Sequence, residues 1–247
     1  MTRPPVSVQL YTVRDALAAD PDATLARLAE IGFTAVEPFG LTDAVDTLEP
    51  AVRSVGLTAP TSHVGLLDGR HNEAFAAAKR LGVETLIDPY VSEESWTTRE
   101  AIAETARALT EVSLAAADQG LRVGYHNHWW ELEQRIDGTP ALEVFADLIG
   151  DNVVLELDTY WSAVGAVDPV ALLGRLGERV VAIHVKDGPA TMDMSAQQPA
   201  GQGVMPIADV LAAAPNARPV IEFDAYAGDI FEGIAESLAF VRTLGVQ

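Results

Sequence analysis

The sequence reads as an α/β protein folded as one (β/α)8 barrel. Three observations predict this. The 247 residues match the roughly 250 that such a barrel usually needs. Eight short, apolar, β-branched runs alternate with amphipathic runs along the whole chain. Polar residues then collect at one end of nearly every apolar run, where a barrel of this kind builds its site. No Pro/Gly/Ser-rich linker or low-complexity stretch divides the chain, so a single domain over 1–247 is expected.

The strand-like runs are "VSVQLY" (6–11), "FTAVEPF" (33–39), "LTAPTSHV" (57–64), "VETLIDP" (83–89), "LRVGYHN" (121–127), "NVVLELD" (152–158), "RVVAIHVKD" (179–187) and "RPVIEFD" (218–224). Their near-continuous apolar character suits strands buried on both faces. Between them, "DPDATLARLAEIG" opens on Asp-Pro and stops at Gly32, and "TTREAIAETARALTEVSLAAADQG" opens on threonine caps and stops at Gly120. "DPVALLGRLG" and "DIFEGIAESLAFVRTLG" repeat the pattern. An open doubly wound sheet normally carries a glycine-rich phosphate turn after its first strand, and "QLYTVRD" has none.

Composition narrows the function classes. About half the residues are hydrophobic, and there is no cysteine, which excludes disulfides and thiolate metal sites. That fits a cytoplasmic setting. The N-terminal "MTRPPVSVQLYTVRD" lacks the apolar core of a signal peptide, and no run is long enough to span a membrane. With 36 acidic and 16 basic residues the formal charge is −20, a field that repels nucleic acid and anionic membranes. A small molecule is the expected partner, and self-association is left open.

The polar strand ends are Gln9 and Tyr11, Glu37, His63, the cluster "HNHWWE" (126–131), Glu156 and Asp158, His184 with Lys186 and Asp187, and Glu222 with Asp224. The strand starts, such as Val6, Phe33, Val153 and Val220, are apolar. A single polar strand end is usually solvated or structural. Seven of eight point elsewhere, because isolated buried charge is expensive; "LIDPY" in the fourth run is the weakest contributor. Period-two alternation puts Glu156 with Asp158, His184 with Lys186, and His126 with His128 on common faces. Asp158, His184 and Glu222 lie at similar depth on consecutive strands and can converge. Two carboxylates and an imidazole without a thiol form the ligand set of a Mn, Co, Mg or Zn ion with positions left open. A fourth ligand is expected from the fifth strand: Glu131 first, His126 close behind. The remaining histidines, His128 among them, are then supporting or substrate groups.

"SVQLYTVRD", "GFTAVEPFG", "YHNHWWEL", "ELDTYWSAVGAVDP", "AIHVKDG", "GQG" and "VIEFD" together resemble the sugar phosphate isomerase/epimerase superfamily with its xylose isomerase-like TIM barrel. The resemblance runs through nearly the whole chain. It implies one divalent ion, manganese being the first choice, held by Glu, Asp, His and Glu from strands five to eight. Asp158, His184 and Glu222 match those positions; at the strand-five position this chain has His126, with Glu131 its nearest carboxylate. The pattern looks most like the inosose dehydratase and 3-keto-sugar branch.

The implied chemistry is proton removal next to the carbonyl of a keto sugar or cyclitol. Glu222 is the expected ligand that doubles as base, with His126, Glu131 or Lys186 as counterpart. Lys186 has an equal structural reading, as an ion-pair partner of Asp187 or Glu156. Gln9, Glu37, His63, His128 and Trp161 are expected to meet substrate, within a rim that also holds Phe39, Trp129, Trp130 and Tyr160. The segment 188–206 reads as a flexible lid, its "GQG" offering backbone amides. An uncharged substrate is expected over a sugar phosphate, since Lys and Arg are nearly absent from the strand ends. The alternatives are a lyase or hydrolase on 3-keto-glycosides and a non-catalytic sugar-binding barrel. A nuclease needs more metal ligands and a basic track, which the charge disfavours.

Overall fold

Eight parallel strands form the wall in the computed structural model: β1 (Ser7–Gln9), β2 (Ala35–Glu37), β3 (Thr61–His63), β4 (Thr85–Asp88), β5 (Arg122–His126), β6 (Val153–Asp158), β7 (Val180–Val185) and β8 (Arg218–Ile221). Each lies within its expected run. The structure describes residues 3–246, so Met1, Thr2 and Gln247, the ends of the expected 1–247 span, lie outside the described residues. The ladder runs β2-β1-β8-β7-β6-β5-β4-β3. Backbone hydrogen bonds from Val36 N to Thr58 O at 2.8 Å and from His63 N to Pro38 O at 2.8 Å bring β2 and β3 together and close the ring.

One principal helix follows each strand: α1 (Pro21–Ile31), α2 (Leu41–Ser54), α3 (His71–Leu81), α4 (Arg99–Ala117), α5 (Ala141–Leu148), α6 (Pro169–Leu176), α7 (Ile207–Ala213) and α8 (Ile230–Thr243). Asp20, Thr98, Asp168 and Asp229 cap α1, α4, α6 and α8 by accepting backbone N–H bonds, each worth about 0.5–2 kcal/mol. Gly32 ends α1 at φ 114°, a left-handed turn that a side chain would resist.

The core lies between strands and helices. Outward residues of the wall, such as Val123, Leu155, Leu157 and Ile183, are fully buried. Tyr125 faces this layer too, packed on Trp96 and Phe145 at 5.2 and 5.3 Å. The alternate positions point into the barrel, and register places them side by side: Gln9 beside Glu37, His126 beside Glu156, Asp158 beside His184. Alternation therefore separates an apolar outer face from a polar axis. Among the described residues no helix is long and apolar enough to cross a membrane.

Candidate metal and substrate site

Inside the barrel, at the C-terminal ends of the strands, lies a continuous network of carboxylates, imidazoles and one ammonium. Its lowest layer is Glu37, fully buried, which accepts bonds from Gln9 Nε2 at 2.8 Å and from the Thr61 hydroxyl. His184 stands above it. Its Nε2 lies 2.9 Å from Glu37 Oε1 and 3.0 Å from Glu156 Oε2, while its Nδ1 lies 2.6 Å from Glu222 Oε2. That last contact sets a nitrogen against a carboxylate oxygen, so it requires a proton or a metal ion between the two lone pairs. Glu156 Oε2 also receives His63 Nε2 at 2.5 Å and His126 Nδ1 at 3.1 Å.

Lys186 reaches from just past β7 to three carboxylates: Glu222 at 2.7 Å, and Asp158 and Asp224 at 2.8 Å each. Its expected partners, Asp187 and Glu156, are not among them, because Asp187 is turned to the other side of the chain and Glu156 is taken up by imidazoles. Asp158 Oδ1 caps the turn Thr159–Val164 through Trp161 N at 2.9 Å. Asn127 locks the end of β5 to β6 with two bonds to the Asp158 main chain, at 3.0 and 3.3 Å.

Electrostatics sort these groups. Burial opposes charge on Lys186, but Asp158, Asp224 and Glu222 hold its ammonium well above the usual range. Burial likewise opposes ionised Glu222, yet Lys186 and His184 hold it well below the usual carboxylate range. Glu156 is held low against burial by His184 and His63. His126 goes the other way: burial and then the neighbouring His184 push it well below the ordinary value, which leaves a neutral ring.

Two overlapping sets of four residues bring ligand atoms within 4.8 Å of one another: His126, Asp158, His184 and Glu222, and beside them His63, His126, Glu156 and His184. Glu156 Oε1 is buried without a hydrogen-bond partner, an arrangement costly for an anion unless a donor or cation completes it, whereas Asp158 Oδ2 is met by Lys186 Nζ at 2.8 Å. The first set combines two imidazoles with two carboxylates, a donor set that suits a divalent ion. Glu131 does not join it. Its carboxylate is buried 2.7 Å from the Tyr125 hydroxyl and 2.9 Å from His128 N, because the turn Trp130–Glu133 folds it back onto the chain that precedes it. His126, the other residue weighed for the strand-five position, is the one the barrel brings in.

A cavity of about 580 Å³ opens above this network, with Glu222, His126, His63, His128 and Trp161 in its wall. Gln9 and Glu37, expected to meet substrate, lie beneath it, bonded to each other and fully buried. Phe39, Trp129, Tyr11 and Tyr90 complete its aromatic lining. Trp130 stacks instead on His128 at 4.2 Å, and the Tyr160 hydroxyl bonds Thr191. Arg14, not singled out from sequence, also lines the wall, its guanidinium bonded to the Tyr11 and Asp224 carbonyls at 2.9 and 3.1 Å. Glu156 was legible only as the inward partner of Asp158; nothing in the sequence marked it as the meeting point of three imidazoles.

The segment 188–206 is tied down rather than loose. Asp187 accepts bonds from Gly188 N, Gly201 N and Met205 N at 2.8, 2.8 and 3.0 Å. Gln197 exchanges two bonds with Asp224, at 2.7 and 2.8 Å. The Gly201 amide of "GQG" is thus given to Asp187. Met194, on the exposed part of the segment, overhangs the cavity.

The profile of the xylose isomerase-like TIM barrel family matches residues 25–243. The chain belongs to that family. No curated protein sequence matches it. Solved structures share the family's barrel: a sugar phosphate isomerase/epimerase from Parabacteroides distasonis superposes with a TM-score of 0.84 at 22% identity, over 96% of this chain and 93% of that one. A D-allulose 3-epimerase from Methylomonas sp. gives 0.73 at 16% identity, over 99% and 100%. A protein described as a probable 3-DHS dehydratase from Bacillus anthracis gives 0.76 at 12% identity, over 97% and 99%. At these identities the likeness is one of fold.

Proposed function

We propose that this family member is a divalent-metal-dependent isomerase, epimerase or dehydratase of a keto sugar or cyclitol. The observation that carries the reading is the set His126, Asp158, His184 and Glu222, of which His126 and Glu222 form part of the cavity wall. These four would hold the ion, manganese first. A divalent ion there supplies Lewis acidity, which makes a hydrogen next to a substrate carbonyl easier to remove. The names of the solved relatives, epimerases and a dehydratase, support a chemistry that starts with such a proton.

The chain's own residues do the rest. Glu222, kept anionic by Lys186 at 2.7 Å, is the base facing the cavity. His126, expected as a counterpart of Glu222 in proton transfer, is in this reading taken up as a ligand, with its Nδ1 against Glu156 at 3.1 Å. Lys186 acts through Glu222, holding it in place and balancing its charge. Trp161 and Trp129, 5.1 Å apart, present flat apolar faces to sugar C–H groups, and His63 and His128 offer ring nitrogens to hydroxyls. The wall also carries Glu222 and Asp224 against the single arginine Arg14, which favours an uncharged sugar over a phosphate ester.

The test is proton exchange. Keto sugars and inososes incubated with enzyme in heavy water should take up deuterium next to the carbonyl, whatever product follows. Glu222→Gln keeps the shape and removes the base; loss of a general base typically costs about 10²–10⁴-fold. Exchange and conversion at the wild-type rate in Glu222→Gln, with metal still bound, would show that another group takes the proton.

A further inference from the structure

His126 and His184 stand between two groups of carboxylates, and each offers a different nitrogen to each side. His184 turns Nε2 to Glu37 and Glu156, at 2.9 and 3.0 Å, and Nδ1 to Glu222 at 2.6 Å. His126 turns Nδ1 to Glu156 at 3.1 Å and leaves Nε2 on the side of Asp158, 3.9 Å away. Glu156 Oε2 is the acceptor common to both, with His63 Nε2 as a third neighbour at 2.5 Å. A carboxylate oxygen that gathers three ring nitrogens is stabilised only if each nitrogen carries a hydrogen. A neutral imidazole protonated on one nitrogen has its lone pair on the other. Once an ion replaces the hydrogen that His184 Nδ1 otherwise shares with Glu222 Oε2 at 2.6 Å, that lone pair falls on the side of Asp158 and Glu222 for both rings.

Resting on the metal reading above, we infer that Glu156 is the positioning residue of the centre. It keeps the hydrogen on His126 Nδ1 and His184 Nε2, so that an ion is taken by His126 Nε2 and His184 Nδ1. A carboxylate behind a ligating imidazole fixes its tautomer and ring orientation. Of the two ligand rings Glu37 reaches only His184, its other imidazole neighbour being His63 at 3.4 Å, and Gln9 and Thr61 fix Glu37 in turn. Glu156 has no comparable anchor: its Oε1 has no hydrogen-bond partner, and the three imidazoles hold its other oxygen. The set His63, His126, Glu156 and His184 is on this account the frame of one ion site, not a second site.

Zn²⁺, being diamagnetic, reads the assignment directly. Wild-type protein labelled with ¹³C,¹⁵N-histidine and loaded with Zn²⁺ would be examined by long-range ¹H–¹⁵N spectra, with rings assigned through His63→Asn, His71→Asn and His128→Asn and the remaining two, His126 and His184, told apart by through-bond correlation of each ring to its own backbone amide. His126 should bind zinc at Nε2 with its hydrogen on Nδ1, and His184 at Nδ1 with its hydrogen on Nε2. Zinc on the nitrogens facing Glu156 would overturn the inference while leaving a metal centre in place. Glu156→Gln should weaken Zn²⁺ binding about 10–100-fold in a chelator competition, with an unchanged far-ultraviolet spectrum. An unchanged affinity would also overturn it. If no ring nitrogen of the wild type takes zinc, the metal reading itself fails, and this inference with it.

Discussion

Asp88 illustrates how a single buried carboxylate couples the barrel to pH. It ends β4, lies away from the cavity wall, and accepts Leu66 N at 2.9 Å and Tyr90 N at 3.1 Å. Burial outweighs these bonds and pushes its carboxyl up from 3.8 to about 6. A raised carboxylate costs stability when it ionises: the penalty is absent below about pH 4, grows as pH rises towards 6, and is complete above that. The shift corresponds to about 3 kcal/mol. Asp88→Asn cannot ionise and loses one acceptor at every pH, a constant offset. Between pH 4 and 7, wild type should therefore lose about 3 kcal/mol relative to the variant in denaturant unfolding. A difference that stays constant across that window would refute the assignment.

At the scale of elements, the helices that stood out in the sequence are the ones with a side-chain cap. Asp20, Thr98, Asp168 and Asp229 open α1, α4, α6 and α8. The helices α2, α3, α5 and α7 start at Gly40, Arg70, Pro140 and Pro206 without a side-chain cap bond, and α2 carries Pro50 inside it. Their ends are set by packing against the wall, which has no local signature. The segment 188–206 shows the same limit in reverse. It reads from sequence as a flexible lid, but Gly203 is small because Asp187 passes close by: a Cβ there would overlap Asp187 Oδ1 and the Gly188 backbone. Gly203→Ala should cost about 1–3 kcal/mol and speed limited proteolysis within 188–206. Unchanged stability and unchanged cleavage would mean that Asp187 does not hold the segment.

On the scale of the whole molecule, the charge of −20 works against compactness. Exposed pairs such as Arg70 with Asp43 and Glu73, or Arg80 with Asp46 and Glu49, offset little of it, since surface ion pairs typically contribute about 0–1 kcal/mol. Added NaCl screens the excess repulsion. Chelator-treated protein should therefore melt higher in about 0.3 M NaCl than in about 0.01 M, concentrations between which the Debye length falls well below the spacing of distant charges. A gain of about 2–4 °C would correspond to roughly 1 kcal/mol for a chain of this size. A lower Tm in salt would mean that the surface pairs outweigh the net charge.

Local order is what the sequence determined by itself. Runs buried on both faces, capped helices and the alternation of polar with apolar residues each depend on neighbours a few positions away. From them followed the eight strands, the barrel, and the convergence of Asp158, His184 and Glu222, because period-two alternation and strand depth are local quantities. Tertiary structure alone decided the contacts that cross the barrel axis. Glu131 and His126 are five residues apart in one segment, and only the path of the turn after β5 sends the first to Tyr125 and the second to the centre. Gln9 and Glu37 are expected from sequence to meet substrate, but depth along the axis puts them under the cavity rather than in its wall. Glu156 gathers rings from β3, β5 and β7, partners up to 93 residues away, and no local pattern encodes a meeting point set by the closure of the whole ring.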